Sequence, residues 1–141
     1  TAAAILSLME NQKLVAEGAG AVPVAAVLFH KLPVEGKKVA CVVSGGNIDV
    51  TMISRIIEKG LLRAGRMTKL RILMQDRPGQ LEMASRIIAA EGANVMVVHH
   101  DRTDVDLDIR DAILEITMET QDRKHAQRVI DALRASGFKV S

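Results

Sequence analysis

Three short stretches hold residue types and spacings that could do chemistry. Glu17-Gly18-Ala19-Gly20 and Ser44-Gly45-Gly46-Asn47 are glycine-bearing turns, each following an apolar stretch. Glycines let backbone N–H groups approach an anion or a flat ring closely. Ser44 and Asn47 add a hydroxyl and an amide. The third stretch is Asp76-Arg77-Pro78-Gly79-Gln80-Leu81, a turn that opens a helix. The free N–H groups of Gly79, Gln80 and Leu81, with the helix dipole behind them, suit a carboxylate. Asp76 is placed to accept from an ammonium group. Asn94, starting the next strand, supplies an amide at the neighbouring edge. These groups suit a small zwitterion. The plainer reading makes all three stretches simple turns, with Asn47 near one helix N-cap and Asp76 capping another.

Other candidates read as structural. His99 and His100 are adjacent on a strand, point to opposite faces and cannot chelate one ion. His30 and His125 lack a partner at motif spacing. Cys41 lies in an apolar run and reads as packing. The aspartates 101, 104, 106, 108 and 111 lack the glycine and terminal glutamate of a calcium loop and read as a solvated hairpin loop.

The elements that must carry these residues fall into two halves. From Leu14 to Phe29, 12 of 16 residues are Ala, Val, Leu or Phe, and residues 39–43 form a continuous apolar run. Runs of that kind belong to strands covered on both faces. The first half therefore reads as a helix over 2–9, a strand over 14–17, a helix over 21–30, a strand over 38–43 and a helix over 48–59. In a parallel unit both strands end at one sheet edge, so the two glycine turns lie side by side there, where open α/β sheets bind ligands. A sheet of two strands cannot be covered by three helices on its own. The first half thus reads as part of a larger α/β domain.

The second half is self-contained. It reads as strand 68–75, helix 80–91, strand 94–101, loop 102–111, strand 112–120, helix 122–136 and strand 138–140. Leu114, Ile116 and Met118 point inward, and Ala126, Val129, Ile130 and Leu133 form a helical stripe. The order β-α-β-β-α-β is the ferredoxin-like arrangement. Gly60 reads as a helix C-cap and residues 61–66 as a linker, with the domain boundary between 65 and 66.

The 141 residues carry 19 Lys or Arg against 17 Asp or Glu, and only two aromatic residues, both Phe. That balance is poor for phosphate-dominated binding, and there is little on which to stack a base, so nucleic acid is excluded as a partner. Residues 1–67 hold 8 basic and 5 acidic side chains, and residues 68–141 hold 11 and 12. No apolar run has membrane length. One cysteine excludes a disulfide framework, and a cytoplasmic location is expected. No cleavable signal is visible and Thr1 is not an initiator Met, so the chain reads as processed or cut from something larger.

Glu17-Gly18-Ala19-Gly20-Ala21 entering an Ala/Val helix, followed by Ser44-Gly45-Gly46-Asn47-Ile48-Asp49, resembles the C-terminal end of the catalytic domain of threonine ammonia-lyases (threonine dehydratases). These are pyridoxal 5'-phosphate enzymes of the tryptophan-synthase-β-like fold, fold type II. Asp76-Arg77-Pro78-Gly79-Gln80-Leu81 resembles the signature of ACT domains, ferredoxin-like modules that bind amino acids and regulate enzymes. The resemblance implies residues 1–65 as the end of the catalytic domain and 66–141 as the ACT regulatory domain. It implies cofactor contacts by Ser44, Gly45, Gly18 and Glu17, with Ser44 at the pyridine nitrogen. It also implies regulatory ligand contacts by Asp76, Gly79, Gln80, Leu81 and Asn94 at an ACT–ACT dimer interface.

The family often has Asn at the position of Asp76 and a polar residue at that of Met74. The more apolar pocket left here, with Leu81 and Val97 nearby, suits isoleucine or valine. The Schiff-base lysine segment and the tetraglycine loop of the family are absent, so this chain by itself is expected to be inactive and the parent protein to turn threonine into 2-oxobutanoate and ammonia. The competing reading is a stand-alone, non-catalytic amino-acid-binding or interaction module. An RNA-recognition module of the same fold would need exposed aromatics on its central strands, and none is there.

Overall fold

The computed structural model describes residues 1–105 and 107–141; Asp106, one of the aspartates of the acidic loop, lies outside the described residues. The chain divides into two compact units, Thr1–Gly60 and Leu61–Ser141.

The first unit is helical. α1 (Ala2–Ser7) runs into a π-helical turn (Leu8–Gln12), and α2 (Gly18–Leu28) and α3 (Val50–Ala64) follow, the last crossing the unit boundary. Its core is made of small groups: Ala4, Ile5, Leu8, Ala16, Ala21, Ala25 and Ile56. α2 is apolar all round, the pattern of a helix enclosed on every side, yet Val22 is 52% exposed and Leu28 is exposed as well.

The two strands expected at 14–17 and 38–43 are not formed; both segments are irregular. An apolar run reports burial, whereas a strand also needs a neighbour for its N–H and C=O groups. Among the described residues no strand of this unit pairs with 38–43, and Val42 is 78% exposed. Cys41 is half-buried in this irregular segment rather than packed in a strand. Two cap assignments also change. Gly60 lies inside α3. The helix is closed instead by Gly65, at φ +71°, where the Gly65 N–H donates to the Leu62 carbonyl and the Arg66 N–H to the Leu61 carbonyl. At the start of α3, Asp49 and not Asn47 caps: its carboxylate accepts from the Thr51 N–H at 2.7 Å and from the Thr51 hydroxyl. Those two bonds hold the Asp49 carboxyl below its usual range.

The second unit has the expected ferredoxin-like fold. β1 (Met67–Gln75), α4 (Gln80–Ala90), β2 (Asn94–Asp101), β3 (Asp111–Glu119), α5 (Arg123–Ala135) and β4 (Lys139–Val140) build an antiparallel sheet in the order β2-β3-β1-β4. Alternation in β1 sends Leu70, Ile72 and Met74 to the helical face, and β3 sends Ala112, Leu114, Ile116 and Met118 there. Ala84 and Ile88 of α4, and Val129 and Leu133 of α5, close over them. Each fully buried Leu, Ile or Val contributes about 1.5–3 kcal/mol. The register shifts between Val95 and Val97, a bulge in the edge strand β2.

α5 is held at both ends. Asp122 accepts from the His125 N–H at 2.8 Å, which holds the Asp122 carboxyl below its usual range. Gly137, at φ +92°, follows the C-terminus. His125 is buried and bridges two backbone segments: its Nδ1 accepts from the Gln121 N–H at 3.0 Å and its Nε2 lies 2.8 Å from the Glu91 carbonyl oxygen. With Nδ1 accepting, Nε2 carries the proton and donates.

Candidate functional sites

The two glycine turns of the first unit meet even though the strands expected to align them are absent. The Glu17 N–H donates to the Gly45 carbonyl at 3.0 Å. A β-carbon on Gly20 would lie 1.9 Å from the Ser44 carbonyl oxygen, and one on Gly45 would lie 2.5 Å from the Glu17 carboxyl group. Gly45 stands at φ +75°, a backbone region that glycine enters without penalty. Gly20 thus packs directly on the backbone of the second turn, where any side chain would be blocked, and Gly45 packs on the Glu17 side chain. Glu17 is half-buried, whereas Gly18, Ser44, Gly45 and Asn47 are exposed. The clasp presents the Ser44 hydroxyl to solvent beside Gly45 and Gly46, with no competing hydrogen bond among the described residues.

In the second unit the β1–α4 turn is open. α4 starts after Gly79, at φ +89°, and has no side-chain cap. The Gln80 N–H is taken by the Arg77 carbonyl at 3.4 Å, and the Gly79 carbonyl accepts from the Met83 N–H. The Leu81 and Glu82 amides have no acceptor among the described residues, so two of the helix's first N–H groups remain for an anion. Leu81 is itself exposed.

Asp76 does not cap this helix. Its carboxylate grips Arg102 from the loop after β2: Nε donates to Oδ2 at 2.7 Å and Nη2 to Oδ1 at 3.1 Å. His100 Nε2 stands 3.7 Å from Oδ1, buried and without a hydrogen-bond partner among the described residues. The Arg102 hydrogen bond is the main cause holding the Asp76 carboxyl low, and Asp76 in turn holds the Arg102 guanidinium more firmly protonated. An incoming ammonium group thus competes with Arg102. A cavity of about 310 Å³ beside the carboxylate is lined by Gln75, Asp76, Arg77, Ile109 and Arg110.

Two expectations change here. Asn94 does not neighbour Asp76. It pairs with Glu119, as does Met67, so Asn94 sits level with the start of β1 while Asp76 follows its end. Nine residues of extended chain separate the two levels, roughly 30 Å. The Asn94 amide donates to Glu119 Oε2 at 2.9 Å. Leu81 and Val97 do not share a pocket either: Val97 registers with Thr117 on the sheet face away from the helices and is 57% exposed. Met74 is core.

Arg102 and His100 carried no motif, yet a signal existed: Asp76 follows β1, Arg102 follows β2, and a crossover helix makes β1 and β2 parallel, so both loops share one sheet end. His99 registers with Glu115 and His100 with Leu114, on opposite faces. Among the described residues no group of three His, Cys, Asp or Glu could hold a metal ion. No helix among them is long and apolar enough to cross a membrane.

Residues 64–136 match the family model of the ACT domain. A curated L-threonine ammonia-lyase of Thermotoga maritima is 52% identical over 137 residues, which are 97% of this chain and 34% of that protein. Another from Geobacter sulfurreducens is 43% identical over 139 residues, 99% of this chain and 35% of that protein. A protein named as a catabolic L-threonine dehydratase in Staphylococcus aureus (strain N315) is 49% identical over 61 residues, 41% of this chain and 18% of that protein. The chain therefore spans about a third of the length of these two L-threonine ammonia-lyases.

Proposed function

The chain belongs to the ACT-domain family, and we propose that it is a regulatory piece of a pyridoxal-phosphate threonine ammonia-lyase, joined to the end of the catalytic domain. The observation that carries this reading is the ACT module together with 52% identity to an L-threonine ammonia-lyase along 97% of the chain. Residues 66–141 sense an aliphatic amino acid, isoleucine or valine. Residues 1–65 belong to the catalytic domain, as the exposed apolar residues of α2 and the unpaired run at 38–43 support.

In the sensor, the free amides at the start of α4 hold the effector carboxylate, and Asp76 takes its ammonium once Arg102 yields. Asn94 cannot reach the same ligand within one copy. A second copy related by a two-fold axis perpendicular to the strands would bring the start of its β2 beside this turn, and in that arrangement a homodimer completes the site. Isothermal titration calorimetry with isoleucine and valine should show saturable binding that weakens on Asp76→Ala and strengthens on Arg102→Met. Absence of heat with every aliphatic amino acid would falsify the sensor reading.

The residues of the first unit fit the cofactor. Pyridoxal phosphate, when bound, supplies the electron sink that loosens bonds at the amino-acid α-carbon. Ser44 projects an exposed hydroxyl from a turn pinned by Gly45 and Gly20, suited to donate a hydrogen bond to an unprotonated ring nitrogen. A hydroxyl leaves that nitrogen neutral, which moderates the electron sink and suits elimination. Gly45 and Gly18 keep the approach clear of side chains, and Glu17 braces the Ser44 turn through its backbone. In the parent protein Ser44→Ala should lower turnover and shift the cofactor absorption band.

A further inference from the structure

A separate cavity lies on the sheet face opposite the helices of the second unit. Leu73 of β1 and Ile113 of β3 are cross-strand partners on that face. Such a face normally stays wet and polar, but here Ile113 is only 6% exposed. Asp104 and Leu107, from the segment between β2 and β3, line one cavity with Arg71, to which Asp104 is ion-paired. The cavity measures about 360 Å³, and its lining includes Arg71, Leu73, Asp104, Leu107, Ile113 and Lys139. That volume lies at the small end of the roughly 300–1,000 Å³ typical of ligand pockets.

The chemistry of the lining is divided. Leu73, Leu107 and Ile113 form an apolar bed. Lys139, opposite Leu73 in register on β4, adds a cationic side chain to the lining and makes no ion pair among the described residues. Asp104 adds a carboxylate, paired with Arg71, which also has Glu115 Oε1 at 3.8 Å from its Nε. A plain aliphatic carboxylate would satisfy Lys139 but set its own charge near Asp104 and Glu115. An aliphatic amine would meet Lys139 and Arg71. A zwitterion meets both signs at once.

We propose that this cavity is a second amino-acid site, distinct from the β1–α4 turn, that takes a small aliphatic amino acid. Lys139 and Arg71 receive its carboxylate, Asp104 accepts from its ammonium, and the side chain lies on Leu73, Leu107 and Ile113. The site is complete within one copy of the unit and needs no dimer. It stands whether or not Asp76 binds an effector.

Methyl and amide NMR of the full chain, titrated with valine, tests the proposal. Saturable shifts are expected at the methyls of Leu73, Leu107 and Ile113. Lys139→Met and Asp104→Asn should each raise the apparent Kd about tenfold. Isobutyrate and isobutylamine, each lacking one charge, should bind more weakly than valine. Asp76→Ala should remove any shifts at Gly79 and Gln80 and leave those of the three methyls in place. Methyls that do not respond to valine would overturn the site. So would methyl shifts that vanish with Asp76→Ala, or isobutyrate binding as well as valine. Silence at Gly79 and Gln80 alone would count against the β1–α4 sensor, not against this cavity.

Discussion

The two units use similar apolar residues to different ends. In Leu61–Ser141 nearly every inward side chain of β1 and β3 meets a counterpart on α4 or α5, and Ile72, Leu114 and Met118 are fully buried. In Thr1–Gly60 the core is built mostly of alanines, while Val22, Leu28, Val39 and Val42 remain exposed. Hydrophobicity in a sequence states how much surface wants to be covered. It does not state that the covering partner lies in the same unit. The second unit holds its partners; the first supplies apolar surface without them.

The largest test of this contrast compares a buried residue of the second unit with an exposed apolar residue of the first. Leu114→Ala should cost about 2–5 kcal/mol, because it leaves a cavity in a closed core. Val42→Ala should stay within about 0.5 kcal/mol. Denaturant unfolding of the full chain measures both, and the contrast breaks if the two costs are alike. A smaller effect is expected at His125. Replacing it by Ala removes the part-buried hydrogen bonds its ring makes with the Gln121 N–H and the Glu91 carbonyl, each worth about 0.5–1.5 kcal/mol. An unchanged midpoint would show that water reaches those groups and that this part of the second unit is less closed than described.

The smallest effect concerns pH. The folded-state carboxyl of Asp122 lies below its usual range, mainly because the His125 N–H donates to it. A lowered carboxylate stabilises the fold above its unfolded value, near pH 4, and that contribution fades as pH falls through the folded value. Asp122→Ala should therefore lower the Tm at neutral pH, with the difference closing as the solution becomes more acidic than about pH 4. Thermal scans from pH 7 to pH 3 check it; a Tm difference that persists unchanged in acid would assign the effect to something other than the charge.

The second unit was legible because its signals agree. Alternation in 68–75 and 112–120, helical stripes in 80–91 and 122–136, and a turn at Pro78-Gly79 each demand the same fold, and the observed bounds differ by a residue or so. In the first unit the helices were legible, but the strands were not. The apolar run at 39–43 satisfies the burial pattern of a strand and nothing in its unit supplies the ladder. The meeting of Glu17–Gly20 with Ser44–Asn47 was anticipated through the wrong intermediate, parallel strands, and is achieved by glycine-permitted backbone contact. The position of Asn94 was misjudged for a topological reason: a helix that returns the chain to the start of a sheet puts the next strand's first residue far from the preceding strand's end. The grip of Arg102 on Asp76 carries no local pattern, since the two are joined only through the parallel course of β1 and β2.

The contact between Gly20 and the Ser44 carbonyl also constrains mutational history. Every amino acid one nucleotide away from a glycine codon brings at least a β-carbon, and here that atom would fall 1.9 Å from the Ser44 carbonyl oxygen. Position 20 therefore cannot drift first. The turn at 44–47 must shift before any replacement is accepted, and a shifted turn no longer holds the serine where it stood. The two positions form an ordered pair in which the route away from glycine passes through loss of the serine's placement.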